Sequence, residues 1–185
     1  TGKRQSTTLL TIENSSVKFI DAKHLSSKTT SQTESQVKNL VGNQFSVCSI
    51  GVAGENLVRF ASIANDGGRQ AGRTGVGAVM GSKNLKAIAI HGTNKTSIYD
   101  KSSINRIREN LHKKSLGPAT EKYRTLGTIS NLSVFNRLNV LPSYNFQQTK
   151  FANIEPITAE TTEMTHKSGS AHCANCTIGC EKIFT

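Results

Sequence analysis

Six glycines stand between residues 67 and 81, at 67, 68, 72, 75, 77 and 81, with Arg69 and Arg73 among them. No other feature restricts the fold of this chain as much. Glycine lets backbone approach a neighbour closely and adopt positive φ, so the stretch has to be built from tight backbone. Two uses are open. Backbone N–H groups of such a loop can form a nest for an anion, with arginine forks suited to phosphate. Alternatively, the glycines make tight turns in a β domain. On residues alone the two readings stand level. "GVGAVMG" touches the dinucleotide fingerprint, but its spacing is GxGxxxG. No clear strand leads directly into it and no βαβ unit of the right length follows, so a nucleotide-binding parallel sheet is not expected.

Around this segment the chain reads as β structure first and helix afterwards. "TTLLTI" and "SVKFI" are β-rich runs joined by "ENSS", a hairpin turn. "TSQTESQVKNLVG" is a helix with apolar Val37 and Leu40 near its end and Gly42 as C-cap. "QFSVCSIG" is a buried strand in which Cys48 acts as a small hydrophobe. "LKAIAIHG" is another strand. Near residue 97 the texture changes. "TSIYDKSSINRIRENLHKKS" is a helix that Asp100 or Ser102 can cap, with Ile104, Ile107 and Leu111 on one face. "TISNLSVFNRL" is apolar-periodic, "NVLPSYNF" is extended with Pro142 as a breaker, and "ITAETTEMTHKSG" is a Thr-rich helix leading into the cysteines.

Those cysteines, Cys173, Cys176 and Cys180, read C-x-x-C-x-x-x-C. Thiolates bind soft or borderline metals. Three at this spacing on a tight turn can reach three corners of a cubane, with the fourth ligand from a distant segment. A zinc site more naturally has a second paired motif, and none is present. Iron–sulfur therefore leads zinc on spacing. His172 adjoins Cys173 and is expected to point away from the site. His24, His91, His112 and His166 are single and read as surface or core histidines.

The chain carries a formal charge of +11, and 35% of it is apolar, which leaves a thin core. A basic surface suits nucleic acid, an anionic cofactor or an acidic protein. Three Tyr, seven Phe and no Trp offer little for base stacking, so nucleic acid is not the expected partner. There is no signal segment and no apolar run long enough to span a membrane. A cytoplasmic location is expected, with metal binding preferred to disulfides. The start at Thr1 without Met is expected of a processed chain or a fragment.

"SIGVAGENLVRFASIANDGGRQAGRTGVGAVMGSKNLKAIAIHG" closely resembles the signature of the tungsten-containing aldehyde:ferredoxin oxidoreductases, and "CANCTIGC" resembles their cluster motif, usually C-x-x-C-P-I-G-C. "NVLPSYNFQQ" is similar to the connecting region between them. The resemblance implies an α+β chain: residues 1–96 as part of the N-terminal, pterin-supporting β domain, and 97–185 as the start of a mainly helical domain. It implies tungstopterin (tungsten, or less often molybdenum, held by two pterins), a magnesium ion bridging the pterin phosphates, and a 4Fe–4S cluster. Aldehyde is then the substrate and ferredoxin the electron acceptor; the remainder of the enzyme, as a separate chain, is a further partner.

Carried onto this sequence, the resemblance makes Cys173, Cys176 and Cys180 cluster ligands. It makes Arg69 a pterin-contacting arginine, places a magnesium-binding backbone carbonyl at Gln70, and keeps Ala71, Gly72, Gly75 and Gly77 close to the cofactor. Gln70 stands where Ala is usual, Thr74 where Gly is common and Thr177 where Pro is common. Family members are several times longer. The fourth cluster cysteine, the helical pterin-binding motifs and the acid/base residues are expected outside this chain, and the isolated chain is expected to oxidise no aldehyde. The competing expectations are a zinc or iron–sulfur knuckle with a basic nucleic-acid-binding surface, and an inactive remnant.

Overall fold

The computed structural model describes residues 2–174 and 176–185. They form two compact units, Thr1–Ser97 and Ile98–Thr185.

The first unit is a six-stranded mixed sheet. Strands β1 (Thr8–Glu13) and β2 (Ser16–Asp21) make the expected hairpin, turning at Asn14 with φ 51°. Short polar Asn tolerates this left-handed conformation. The helix α1 (Thr30–Val41) follows, then β3 (Ser46–Ser49) and a single-turn helix, α2 (Val52–Glu55). Next come β4 (Ile63–Asn65), β5 (Arg69–Ala71), the short helix α3 (Val76–Ser82) and β6 (Leu85–His91). The strand order is β2-β1-β6-β3-β4-β5. The last strand in sequence thus lies inside the sheet, parallel to β1 and antiparallel to β3.

Alternation along the strands sends Leu9, Val47, Ala87 and Ala89 to one face, where they are buried with Ala22, Leu25, Val37 and Phe45. Each fully buried Leu or Val there contributes about 1.5–3 kcal/mol. The helix α1 covers this face because its start is fixed by a capping box. Thr29 Oγ1 accepts from Gln32 N at 3.2 Å, and Gln32 Oε1 accepts from Thr29 N at 3.0 Å. Gly42, at φ 112°, ends the helix as expected. Val37 faces the core, whereas Leu40 is about half exposed. On the opposite face the register brings Leu10 and Ile12 beside Phe19 and Val17 on one side and Ile88 and Ile90 on the other. Val17, Phe19 and Ile90 are half exposed there.

The second unit begins with α4 (Lys101–Ser115), capped by Asp100, whose Oδ1 accepts from Ser103 N at 2.9 Å. Helices α5 (Pro118–Leu126), α6 (Leu132–Arg137) and α7 (Ala159–Thr165) follow, then strands β7 (Lys167–Ala171) and β8 (Glu181–Phe184), paired antiparallel. Among the described residues of this unit, only Ile154 and Ala159 are buried apolar side chains. Polar staples hold the rest. The buried Asn136 side chain bonds both the N–H and the carbonyl of Phe151, at 2.7 and 3.0 Å. The stretch expected to be extended, "NVLPSYNF", instead reverses direction. Ser143 and Gln148 exchange backbone hydrogen bonds, and Tyr144, Asn145 and Phe146 all have positive φ. The mutual bonding of Ser143 and Gln148 outweighs the local preference for extension.

Candidate cofactor loop and cysteine loop

The glycine-rich segment folds into a β4–β5 hairpin and α3, neither of which periodicity revealed. The hairpin tip is held by carboxylates. Asp66 Oδ1 accepts from Val47 N at 2.8 Å, and the Glu34 carboxylate accepts from Gly67 N at 3.2 and 3.3 Å. Lys38 bridges the two acids, at 2.7 Å from Glu34 and 3.9 Å from Asp66. The hydrogen bond to Glu34, with the charges of Glu34 and Asp66, holds the Lys38 ammonium above its usual pKa, against a smaller opposing effect of burial. The Gly67 N–H of the expected anion nest is therefore engaged by an anion of the chain itself.

The glycines divide by what surrounds them. A Cβ at Gly81 would lie 1.9 Å from the Gly54 carbonyl oxygen, and one at Gly77 would lie 2.4 Å from that of Ser62. These two glycines let α3 pack on α2 and on the chain before β4. Gly75, at φ 70°, presses against the Arg59 carbonyl, 2.0 Å from where a Cβ would stand. Gly67, Gly68 and Gly72 have nothing within 4 Å of a built Cβ. The surface is thus the strip 69–74, on and just beyond the edge strand β5, where Arg69, Gln70, Ala71, Gly72 and Arg73 are all exposed. Among the described residues, no hydrogen bond from the N–H groups of Gly72, Arg73, Thr74 or Gly75 occurs. The Gln70 side chain lies along the hairpin, accepting from Ser62 Oγ at 2.7 Å and donating to the Gly68 carbonyl at 3.2 Å. It clears the backbone of the strip. Exposed arginines and unpaired N–H groups fit an anionic group such as a phosphate.

Sequence reasoning missed a buried ion pair elsewhere in this unit. Lys86, on β6, is wholly buried and donates to Glu55 of α2 and, at 2.9 Å, to the Lys28 carbonyl. Glu55 also accepts from Ser27 N at 2.9 Å. A lysine inside the apolar run "LKAIAI" was the available signal. Cys48 lies half-buried on β3, and burial pushes its thiol pKa up, which keeps it protonated and unreactive.

Cys173, Cys176 and Cys180 all lie between β7 and β8, in the loop of that hairpin. Cys173 is exposed, Cys176 and Cys180 half-buried. Cys176 N donates to Cys173 O at 3.0 Å, closing a tight turn between the first two. His172 does not diverge from the loop as expected. Its Nδ1 lies 3.0 Å from Cys176 O, and its ring rests on Gly179, where a Cβ would come within 2.5 Å of Cε1. Positive φ at Gly179, 61°, makes that contact possible. Thr177 Oγ1 is hydrogen-bonded to Ser115 Oγ of α4. Ile104, Ile107 and Leu111, which share one helix face as expected, are about half exposed and line an open groove of about 870 Å³ with Cys176, Thr177 and Ile178.

Among the described residues, no three His, Cys, Asp or Glu side chains are gathered closely enough to hold a single metal ion. Thiolates gripping one zinc at ~2.3 Å crowd together, whereas those of a cubane each ligate a different iron at its corners. Three soft thiols presented along one loop suit a thiolate-bound metal centre in donor chemistry, an iron–sulfur cluster or zinc.

One unit built on a mixed sheet with a glycine-rich edge, and a second, mainly helical unit that carries a three-thiol hairpin loop, make this an α+β chain. The same fold occurs in the solved active-site complex BamBC of benzoyl coenzyme A reductase with 1,5-dienoyl-CoA. It matches all of this chain and 30% of that one at TM-score 0.72 and 24% identity. Residues 1–92 match the aldehyde ferredoxin oxidoreductase N-terminal domain and residues 103–185 match domains 2 and 3 of the same enzymes. The chain belongs to the aldehyde ferredoxin oxidoreductase family.

It is 38% identical to the tungsten-containing aldehyde ferredoxin oxidoreductase of Thermococcus kodakarensis and 37% identical to that of Pyrococcus furiosus, in each case over 98% of its own length and 31% of the relative's. It is also 33% identical, over 72% of its length, to the WOR-like subunit of an aliphatic sulfonate oxidoreductase of Pyrococcus furiosus. The chain thus spans less than a third of the curated relatives it matches. Among the described residues, no helix is long and apolar enough to cross a membrane.

Proposed function

We propose that this chain provides part of the cofactor base and three cluster ligands of a tungstopterin oxidoreductase that oxidises aldehydes to carboxylates and passes electrons to ferredoxin. In this reading residues 1–96 belong to the pterin-supporting domain and 97–185 begin the helical domain. The observation that carries it is the presentation of Cys173, Cys176 and Cys180 on one hairpin loop in a chain of this family.

Bound tungstopterin supplies the two-electron oxidation of the aldehyde, and a 4Fe–4S cluster supplies one-electron steps to ferredoxin. The chain's own groups bind and orient. Arg69 neutralises pterin phosphate, which the exposed Ala71 lies against and the unpaired N–H groups of Gly72 to Gly75 bind. The Gln70 carbonyl offers a hard oxygen ligand to magnesium, while its side chain is turned along the hairpin. Gly77 serves from beneath, by letting α3 pack closely enough to hold the strip in place. The three thiols, deprotonated on binding iron, anchor the cluster to the β7–β8 hairpin.

The test is anaerobic reconstitution of the chain with ferrous iron and sulfide. Stoichiometric uptake of both is expected, with thiolate-to-iron charge-transfer absorption, and with sharp loss in Cys173→Ser, Cys176→Ser and Cys180→Ser. Uptake indifferent to these substitutions, or binding of zinc to the exclusion of iron, would overturn the assignment.

A further inference from the structure

Lys182 lies on β8, two residues past Cys180. Its stem fits against Gly127 at the end of α5, where a Cβ would stand 2.7 Å from Lys182 Cγ and 2.8 Å from the Cys180 carbonyl oxygen. Gly127 has φ 75°, so this slot depends on glycine. The ammonium donates to three oxygens from three elements: the Arg124 carbonyl in the last turn of α5, Ser170 Oγ of β7 at 3.0 Å, and the Gly179 carbonyl of the cysteine loop at 3.2 Å. All three partners are uncharged. A cation is favourably placed at the C-terminal end of a helix, where carbonyls lack intrahelical partners. The loop is tied elsewhere by hydrogen bonds of His172 with Cys176 and of Ser115 with Thr177.

We propose that Lys182 is the positioning residue of the cysteine loop: its ammonium fixes the limb that carries Cys180 and sets a positive charge beside the thiolates, raising the reduction potential of a cluster held there. This rests on the reading of Cys173, Cys176 and Cys180 as cluster ligands. A positive charge close to a cluster favours the reduced state, which carries one more negative charge. A hydrogen-bonded strap at the loop's root keeps the thiols near their bound geometry before iron arrives.

The experiment compares the wild-type chain with Lys182→Met, which keeps the apolar stem, and Lys182→Arg, which keeps the charge. In the metal-free chain, the Cys176 amide, which donates to Cys173 O, is expected to exchange hydrogen about tenfold faster in Lys182→Met, while those of β1 and β6 are unchanged. After reconstitution, Lys182→Met is expected to have a more negative reduction potential than wild type, and Lys182→Arg to recover most of the difference. Unchanged loop exchange in Lys182→Met refutes the strap, and an unchanged potential refutes the electrostatic role. If the wild-type chain takes up no iron and sulfide, the ligand reading falls. The exchange comparison then judges the hold of Lys182 on the loop by itself.

Discussion

Removing Glu55 should destabilise the first unit more than removing Lys86, although the two side chains form one ion pair. The reason is what each loss leaves behind. The Lys86 side chain is 0% exposed and that of Glu55 22%. In Glu55→Ala the ammonium keeps only the Lys28 carbonyl, at 2.9 Å, and stays out of water. Stripping one partner from a buried charge costs about 3–5 kcal/mol. In Lys86→Met the apolar volume is roughly kept, and the remaining carboxylate has both partial solvent access and the Ser27 N–H at 2.9 Å. The loss there is close to that of one charged hydrogen bond, about 1.5–2 kcal/mol. The gap of about 2 kcal/mol is a factor of roughly 30 in the unfolding equilibrium. Urea titrations followed by NMR at the Ala87 and Ala89 amides would measure it. Both amides lie on β6 in the core of this unit, so the signal reports this unit directly. If Lys86→Met costs as much as Glu55→Ala, or more, the reasoning from unequal burial is wrong.

Two further outcomes follow from backbone and cap geometry. Thr74 is β-branched yet has φ 69°. That conformation costs about 1–2 kcal/mol in an L-residue. Thr74→Gly relieves it and loses about 0.5–1 kcal/mol to unfolded-chain entropy, so a net gain of about 0.5–1 kcal/mol is expected as a higher urea midpoint, and a lower midpoint would count against strain at this position. For Asp100, bonding from the Ser103 backbone N–H, then the Ser103 and Ser102 side chains, lowers its pKa from 3.8 to about 2. A depressed folded-state pKa means the cap's contribution to α4 is fully present above 3.8 and is lost as the pH falls through about 2. Far-UV circular dichroism across that window should show helix loss that Asp100→Asn flattens; an identical acid transition in the variant would argue against the cap as its source.

Elements made by neighbouring residues were legible in the sequence. The β1–β2 turn, the capped α1 ending at Gly42, the strand β6 and the start of α4 at Asp100 all follow from propensities and hydrogen bonds spanning a few positions. What escaped depends on partners far along the chain. The strand β5 is too short to announce itself and exists by pairing Gln70 with Ala64. Strands β7 and β8 pair across the whole cysteine loop, Ala171 with Glu181. Ile104, Ile107 and Leu111 do share a helix face, as periodicity requires, but periodicity cannot say whether anything covers that face.

The candidate sites divide in the same way. Spacing alone put three thiols within reach of one loop, and glycine content alone required close backbone approach between 67 and 81. Only the tertiary structure decided what the backbone approaches. Gly77 and Gly81 meet carbonyls of Ser62 and Gly54, while Gly72 stands open. It also laid His172 against the cysteine loop, buried Lys86 against Glu55 and brought Lys182 to the root of that loop. The physical reason is range. Helix caps, turns and alternation are set by atoms a few bonds apart, and are therefore written in contiguous sequence. A close contact or a buried charge is a relation between segments that the chain brings together only by folding.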